Sequence, residues 1–338
     1  MDSFKAWRVH AVEVDGKKST EARYDDISLA DLEADSTEGN EVIIKAAWSD
    51  VNYKDALAIS GAGRIMRKSP CVAGIDVSGT VVSSADSRFQ EGDEVLVTGC
   101  QLGEALDGGY SEYVKVAGPS VIALPEGLSL RDAMALGTAG FTAALAVHRM
   151  QQNAQTPELG PIAVTGPTGG VGGLAVQMLS KIGFEVHAIT GKPSEADYLK
   201  SLGASAIVDR NELELGSRPL EKVMWGGAVD NLGGDLLSWL TRTTTDGGNV
   251  ASIGLAASHK LETTVMPFIL RGVNLLGINS VVTPLPVRNR IWERLASDLK
   301  PELLDQMVTR EVELAEVDQV MADYVKGAVT GRTLVKIS

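Results

Sequence analysis

Two stretches of this 338-residue chain hold residue types whose spacing suits ligand chemistry. The first, Asn52-Tyr53-Lys54-Asp55-Ala56-Leu57, is a polar turn of helix directly after a hydrophobic strand ending at Trp48. A phenol can donate a hydrogen bond without ionising, so Tyr53 suits stabilisation of a developing oxyanion or delivery of a proton, with Asn52 and Asp55 as further candidates. The same residue types also cap helices, and a plain capped surface helix is the alternative reading.

The second stretch, Thr165-Gly166-Pro167-Thr168-Gly169-Gly170-Val171-Gly172-Gly173, lies between an apolar run at 162–164 and apolar residues at helical spacing. A buried strand that turns on glycines into a helix presents free N–H groups to an anion, which is the arrangement of a pyrophosphate site. The spacing is Gly-x-x-Gly-x-x-Gly, with Pro167 where the usual fingerprint has its first glycine. A second strand, at 184–190, follows at the separation a βαβ unit requires.

The end of that second strand selects the dinucleotide. A site for NAD would place an acid there to bind the adenosine ribose. This chain reads Thr190-Gly191-Lys192, with no acid before Glu195. A hydroxyl, a bare amide and an ammonium group would hold a 2′-phosphate, so the expected cofactor is NADP(H). Arg210, after a third strand at 206–209, is placed to close over the same phosphate or stack on the adenine. Two charge-assisted bonds would favour NADP by roughly two to four powers of ten. The alternative is that Lys192 and Arg210 are ordinary solvated charges.

These residues need a scaffold, and the texture of the chain changes near Leu124. Before it, short strand patterns at 7–14, 41–48, 77–83, 94–98 and 110–116 are separated by turns such as Asp15-Gly16 and Gly92-Asp93, which points to a small barrel-like β domain. After it come helices at 129–136 and 141–150, then alternating strands and helices with further strands at 227–232, 249–255 and 274–278. Ligands of open parallel sheets bind at the carboxyl ends of the strands, which makes Gly254-Leu255 and Asn279-Ser280 cofactor-edge candidates; plain turns are the alternative. A helix at 286–299, a strand at 308–314, a helix at 317–325 and a closing strand at 331–337 would return to the β domain. The expected division is 1–125, 126–285 and 286–338, with the nucleotide domain inserted.

Composition bounds the partners. Thirty-one basic residues against 44 acidic give a formal charge of −13, which argues against nucleic acid and anionic membranes. A basic segment, Arg64 to Lys68 with Arg67 between, stands out against that background and could receive a phosphate-bearing substrate tail or simply be a solvated loop. The two cysteines, Cys71 and Cys100, and the four scattered histidines form no ligand pattern, so no metal is expected. The amino terminus has no signal architecture and the longest apolar run is too short to span a bilayer, so a cytoplasmic protein is expected.

Taken together, Asn52-Tyr-Lys-Asp55, Gly74-Ile-Asp-Val-Ser-Gly79, Gly108-Gly-Tyr-Ser-Glu-Tyr113, Gly137-Thr-Ala-Gly-Phe-Thr142, the glycine turn, Met266-Pro-Phe-Ile-Leu-Arg271 and Gly331-Arg-Thr-Leu-Val-Lys336 resemble the medium-chain dehydrogenase/reductase superfamily. The resemblance is to its zinc-free, quinone-oxidoreductase-like branch and, within that, to acrylyl-CoA reductases. It implies an α/β protein: a GroES-like β-rich catalytic domain plus a Rossmann doubly wound parallel-sheet domain, assembled as a homodimer. It also implies that Tyr53 lies beside the nicotinamide, Thr168, Gly169, Gly170 and Val171 at the pyrophosphate, and Thr190, Gly191, Lys192 and Arg210 around the adenosine phosphate. Leu255, Ile269 and Ser280 would line the nicotinamide half, and Gly327 and Arg332 would also approach the cofactor. Zinc-dependent relatives have histidine and glutamate where this chain has Ile75 and Asp76.

The chemistry so implied is reduction of acrylyl-CoA to propionyl-CoA, with hydride from NADPH added to the terminal carbon, charge developing on the thioester oxygen, and the α-carbon then protonated. Arg64, Arg67 and Lys68, or Arg288 and Arg290, are the basic groups expected to meet the CoA phosphates. Reduction of quinones or free enones is the nearer rival, and a non-catalytic NADPH-binding structural or RNA-binding protein the more distant one.

Overall fold

The structure is a computed structural model and describes residues 3–33 and 40–338. Its contacts divide the chain into two compact units, one drawn from Met1–Thr138, Val281–Arg290 and Leu304–Ser338, the other from Ala139–Ser280 and Ile291–Leu303.

In the first unit, β1 (Phe4–Val14) turns at Asp15 and Gly16, both at positive φ, into β2 (Lys17–Ile27), and the two pair antiparallel along their full lengths. The sequence reading has no counterpart of β2. Its residues are charged and mostly solvent-facing, so the alternation that marks a half-buried strand is lost. The unit's larger sheet is centred on β3 (Glu41–Asp50), after which α1 (Tyr53–Ile59) begins. β4 (Cys71–Val72) joins β1; β5 (Asp76–Ser84), β6 (Glu94–Thr98), β7 (Tyr113–Ala117) and β8 (Ile122–Ala123) join the β3 sheet. Val42, Ile44, Ala46, Val77, Val81, Val95 and Val97 bury one face of it. A fully buried valine contributes about 2 kcal/mol, so this face alone accounts for much of the unit's cohesion.

α2 (Leu130–Gln152) is interrupted at Gly137, whose φ of 52° and ψ of −156° are not helical. The helices expected at 129–136 and 141–150 are the two arms on either side of it. In the second unit, β9 (Ile162–Thr165), α3 (Gly170–Lys181), β10 (Val186–Thr190), α4 (Ala196–Ser201), β11 (Ala206–Asp209), β12 (Trp225–Asp230), α5 (Gly234–Thr243), β13 (Thr244–Ser252), α6 (Met266–Leu270) and β14 (Asn274–Gly277) follow in order. The strands form one parallel sheet in the order β11-β10-β9-β12-β13-β14. Every residue of β9 and β12 is buried, which is why these strands read as continuous runs. The sheet grows away from β9 in both directions, and the turns above β9 and β12 are where such a fold receives a ligand.

α7 (Leu285–Leu295), α8 (Leu304–Met307), β15 (Val308–Glu313), α9 (Asp318–Val325) and β16 (Arg332–Lys336) complete the chain. β16 pairs antiparallel with β3, from Leu334–Asp50 to Lys336–Trp48, so the carboxyl end closes into the sheet begun near residue 41.

Candidate active site

Within the first unit, four consecutive residues divide into three anchors and one presented side chain. Asn52 ends the extended segment after β3 and caps α1. Both of its amide hydrogens are spent, on Asp50 Oδ1 at 2.6 Å and Asp76 Oδ2 at 2.9 Å. Asp55 closes the cap from the other side, accepting the Asn52 N–H at 2.8 Å and the Ile75 N–H at 3.0 Å. Lys54 is held by Glu104 at 2.6 Å. Tyr53 alone turns outward, 45 % exposed although it is aromatic.

Beneath this turn lies a polar cluster that the sequence reading does not anticipate. Asp50 and Asp76 are wholly buried, and Arg332, 2 % exposed, donates through Nη2 to Asp50 and through Nε to the Ala135 carbonyl at 3.1 Å. Asp76 also accepts the Thr138 N–H at 2.7 Å, its hydroxyl at 2.6 Å and the Gly99 N–H at 3.2 Å. Only glycine fits at 137: its φ is left-handed, and a Cβ would stand 1.8 Å from Asp50 Oδ2 and 2.9 Å from Asp76 Oδ2. The α2 interruption is therefore the point at which the helix yields to two carboxylates.

One guanidinium cannot balance three buried carboxyls. Burial, with Asp76 adding to it, holds Asp50 well above the usual carboxylate range despite the opposing pull of Arg332. Burial likewise pushes Asp55 up to about 7, against the two backbone N–H groups that favour its anion. Burial works against the Arg332 cation, and the neighbouring Asp50, Tyr324, Asp76 and Asp55 together outweigh it. Asp50, the carboxyl that burial disfavours most as an anion, is the natural seat of the retained proton.

Within the second unit, Gly166 supplies the left-handed turn (φ 59°) ahead of Pro167, and Gly169 leads into α3. The first-turn amides of α3 have no carbonyl within the helix to bond, and they open above the sheet. Gly172 packs so closely under the turn that a Cβ would lie 2.3 Å from the Gly166 carbonyl oxygen. Thr190 is buried, and its hydroxyl accepts the Lys192 N–H at 2.9 Å. The Arg210 guanidinium lies on Gly191, where a Cβ would come within 2.9 Å of its Nη2. Beside it, a cavity of about 390 Å³ is lined by Arg210, Leu232, Gly233, Ser258 and Lys260, among others. Asp235 and Glu262 also line that cavity, so its charge is mixed, and the features that suit a 2′-phosphate are the glycine turn and the Arg210 guanidinium over Gly191.

The other candidates are placed as follows. Leu255 (65 % exposed) and Ile269 (70 %) are apolar side chains open at the surface of the second unit, and Ser280 is half-buried. Gly327 is exposed in the first unit. Arg64 and Arg67 are exposed, whereas Lys68 is tied to Asp107 at 2.8 Å. Arg288 is a correction to the expected CoA contacts: at 2 % exposure, with Nη2 on the Thr98 carbonyl at 2.8 Å, it is built into the core, while Arg290 is exposed. The polar groups of Arg332 and Asn52 are engaged with Asp50 and Asp76 inside the fold. The missed partners Asp50 and Asp76 had one signal, charged residues set at the ends of otherwise apolar strands, and Thr138, inside α2, had none of that kind.

The residues present do not fit a catalytic zinc. Asp76 is taken up by its four donors and a guanidinium stands where a cation would be needed. Among the described residues no group of three or more His, Cys, Asp or Glu could hold a metal.

The alcohol dehydrogenase GroES-like domain family matches residues 38–126 and the zinc-binding dehydrogenase family residues 170–296. The chain belongs to the medium-chain dehydrogenase/reductase family and is an oxidoreductase of its quinone-oxidoreductase-like branch. Within that class it is similar to the acrylyl-CoA reductase AcuI of Ruegeria pomeroyi, 46 % identical over 99 % of each chain. It is also similar to the yhdH oxidoreductase of Salmonella enterica solved in complex with NADP, 44 % identical with a TM-score of 0.92 over 99 % of this chain and 100 % of that one. The yhfP protein of Bacillus subtilis, solved with NAD bound, is 47 % identical with a TM-score of 0.93 over the same shares.

Proposed function

We propose that the protein uses NADPH to reduce the activated double bond of acrylyl-CoA to propionyl-CoA. The observation that carries the cofactor choice is the Arg210 guanidinium seated on Gly191 beyond β10, with Thr190 and Lys192 beside it and no acid from residue 190 to residue 194. Thr168, Gly169, Gly170 and Val171 would hold the pyrophosphate, and Leu255, Ile269, Ser280 and Gly327 the remainder of the dinucleotide. The bound cofactor would supply the hydride. The chain's own part is to orient the alkene, exclude water and stabilise enolate charge. Tyr53 is assigned to that last role, because its phenol is the one group of the Asn52–Asp55 run not committed to the fold.

Arg64, Arg67 and Arg290 are the exposed basic groups assigned to the CoA tail, whose binding energy would position a small reacting group with few contacts of its own. The substrate assignment is supported by the likeness to AcuI along nearly the whole chain. Segments 1–125 and 286–338 are assigned to the catalytic domain and 126–285 to the NADP-binding domain, in a homodimer. Replacing Arg64, Arg67 and Arg290 in turn by Ala should raise KM for acrylyl-CoA and leave Kd for NADPH unchanged. Unchanged KM in all three would remove the CoA site from the account.

A further inference from the structure

The loop from Gly99 to Asp107 is the most strained backbone of the first unit. Gly99, Cys100, Gln101 and Gly103 all take positive φ, at 66°, 49°, 66° and 62°, and two of the four are not glycine. Left-handed non-glycine residues persist only where the surroundings enforce them, and they gather at sites where geometry matters. Here the enforcement is visible. The Gly99 N–H bonds Ile75 O and Asp76 Oδ1, Leu102 is 1 % exposed, and the amides of Glu104, Ala105 and Leu106 all turn in to the Gln101 carbonyl.

What the loop delivers is two buried carboxylates. Asp107, 3 % exposed, accepts the Val72 N–H and Lys68. Glu104, 8 % exposed, accepts Lys54 Nζ at 2.6 Å, and its carbonyl accepts the Arg67 N–H at 2.7 Å. A carboxylate brought this far out of water needs partners of opposite charge; Arg67 stands at 3.9 Å, and the nearer partner is Lys54, the neighbour of Tyr53 on the first turn of α1. Asn52 and Asp55 fix the start of that turn, Ala56 and Ile59 pack α1 into the core, and Lys54 adds an ion-paired tether.

We propose that Glu104 is a positioning residue: by holding Lys54, it fixes the first turn of α1 and so the direction in which Tyr53 is presented. The proposal rests on Tyr53 serving the reaction as assigned above, while the tethering of α1 stands independently of it. Glu104→Gln keeps the shape and a hydrogen bond but removes the charge. Its amide hydrogens across Tyr53–Ile59 should exchange about tenfold faster than in the wild type, with Kd for NADPH unaltered. For acrylyl-CoA, kcat should fall about tenfold while KM moves little. Lys54→Met should do the same, the double variant should be no worse than either single one, and Lys54→Arg should restore most of the rate. Unchanged exchange in α1, additive effects of the two substitutions, or a lower melting temperature with wild-type kcat would overturn it. A wild-type protein inert toward acrylyl-CoA whose α1 nevertheless loosened in the variant would sink the substrate reading and leave the tether standing.

Discussion

The two candidate regions treat their polar groups in opposite ways. Around α1, the carboxyl groups of Asp50, Asp55 and Asp76 and the Arg332 guanidinium are buried, and the half-buried Asn52 is bonded to all three carboxyl groups. Along the carboxyl edge of the parallel sheet, the first-turn amides of α3 and the Arg210 guanidinium face outward. A group spent within the fold sets geometry; a group left open meets a ligand. By that criterion Asn52, Asp55 and Arg332 are framework, whereas Tyr53 and Arg210 are the side chains proposed to meet a ligand.

The largest effect should come from breaking the framework. Arg332→Ala removes the one cation of the buried Asp50–Asp76 cluster and should cost about 3–5 kcal/mol in denaturant unfolding; adding Asp50→Asn should recover part of that loss. A cost near zero would mean that the cluster is hydrated and belongs with the open region instead. The next largest should be on the ligand side: Arg210→Ala should weaken NADPH binding by about tenfold to a hundredfold with NADH binding unchanged, measured by titration. Equal loss for both dinucleotides would deny Arg210 a role in reading the 2′-phosphate.

Tyr53→Phe should lower kcat for acrylyl-CoA by about tenfold or more while Kd for NADPH holds, because a single hydrogen bond to the developing enolate is removed. An unchanged kcat would make water the proton source and the ring a mere wall. The smallest effect concerns pH. Folding raises Asp55 from 3.8 to about 7 and raises Asp50 as well, so both take up protons on folding. Their contribution is complete below pH 4 and is lost as pH rises, for Asp55 between about 4 and 7. Asp50→Asn should therefore cost less than about 1 kcal/mol near neutrality and flatten the fall of the melting temperature with pH. A steeper fall would place the retained proton elsewhere.

How legible each region was follows from the same contrast. The glycine turn, Thr190-Gly191-Lys192 and Arg210 act through neighbours close in sequence and through the regular period of a βαβ unit, so they can be read directly from the chain. The buried cluster joins residues 50, 76, 138 and 332, and no local pattern announces that association. β2 was missed for a related reason: its charged residues pair through the backbone with β1, and side-chain alternation carries no trace of that. Burial of the Arg288 cation has no local signature either, because it depends on the Thr98 carbonyl it meets, far away in the chain.

The central claim is that an open, basic sheet edge holds NADPH for reduction of a CoA-bound alkene. The most direct measurement is NADPH oxidation by the purified protein, with a zinc chelator present, across acrylyl-CoA, free acrylate and a simple quinone. The account predicts that acrylyl-CoA is turned over with the highest kcat/KM and yields propionyl-CoA, with the chelator without effect. Preferential consumption of the quinone, or loss of activity on chelation, would contradict it.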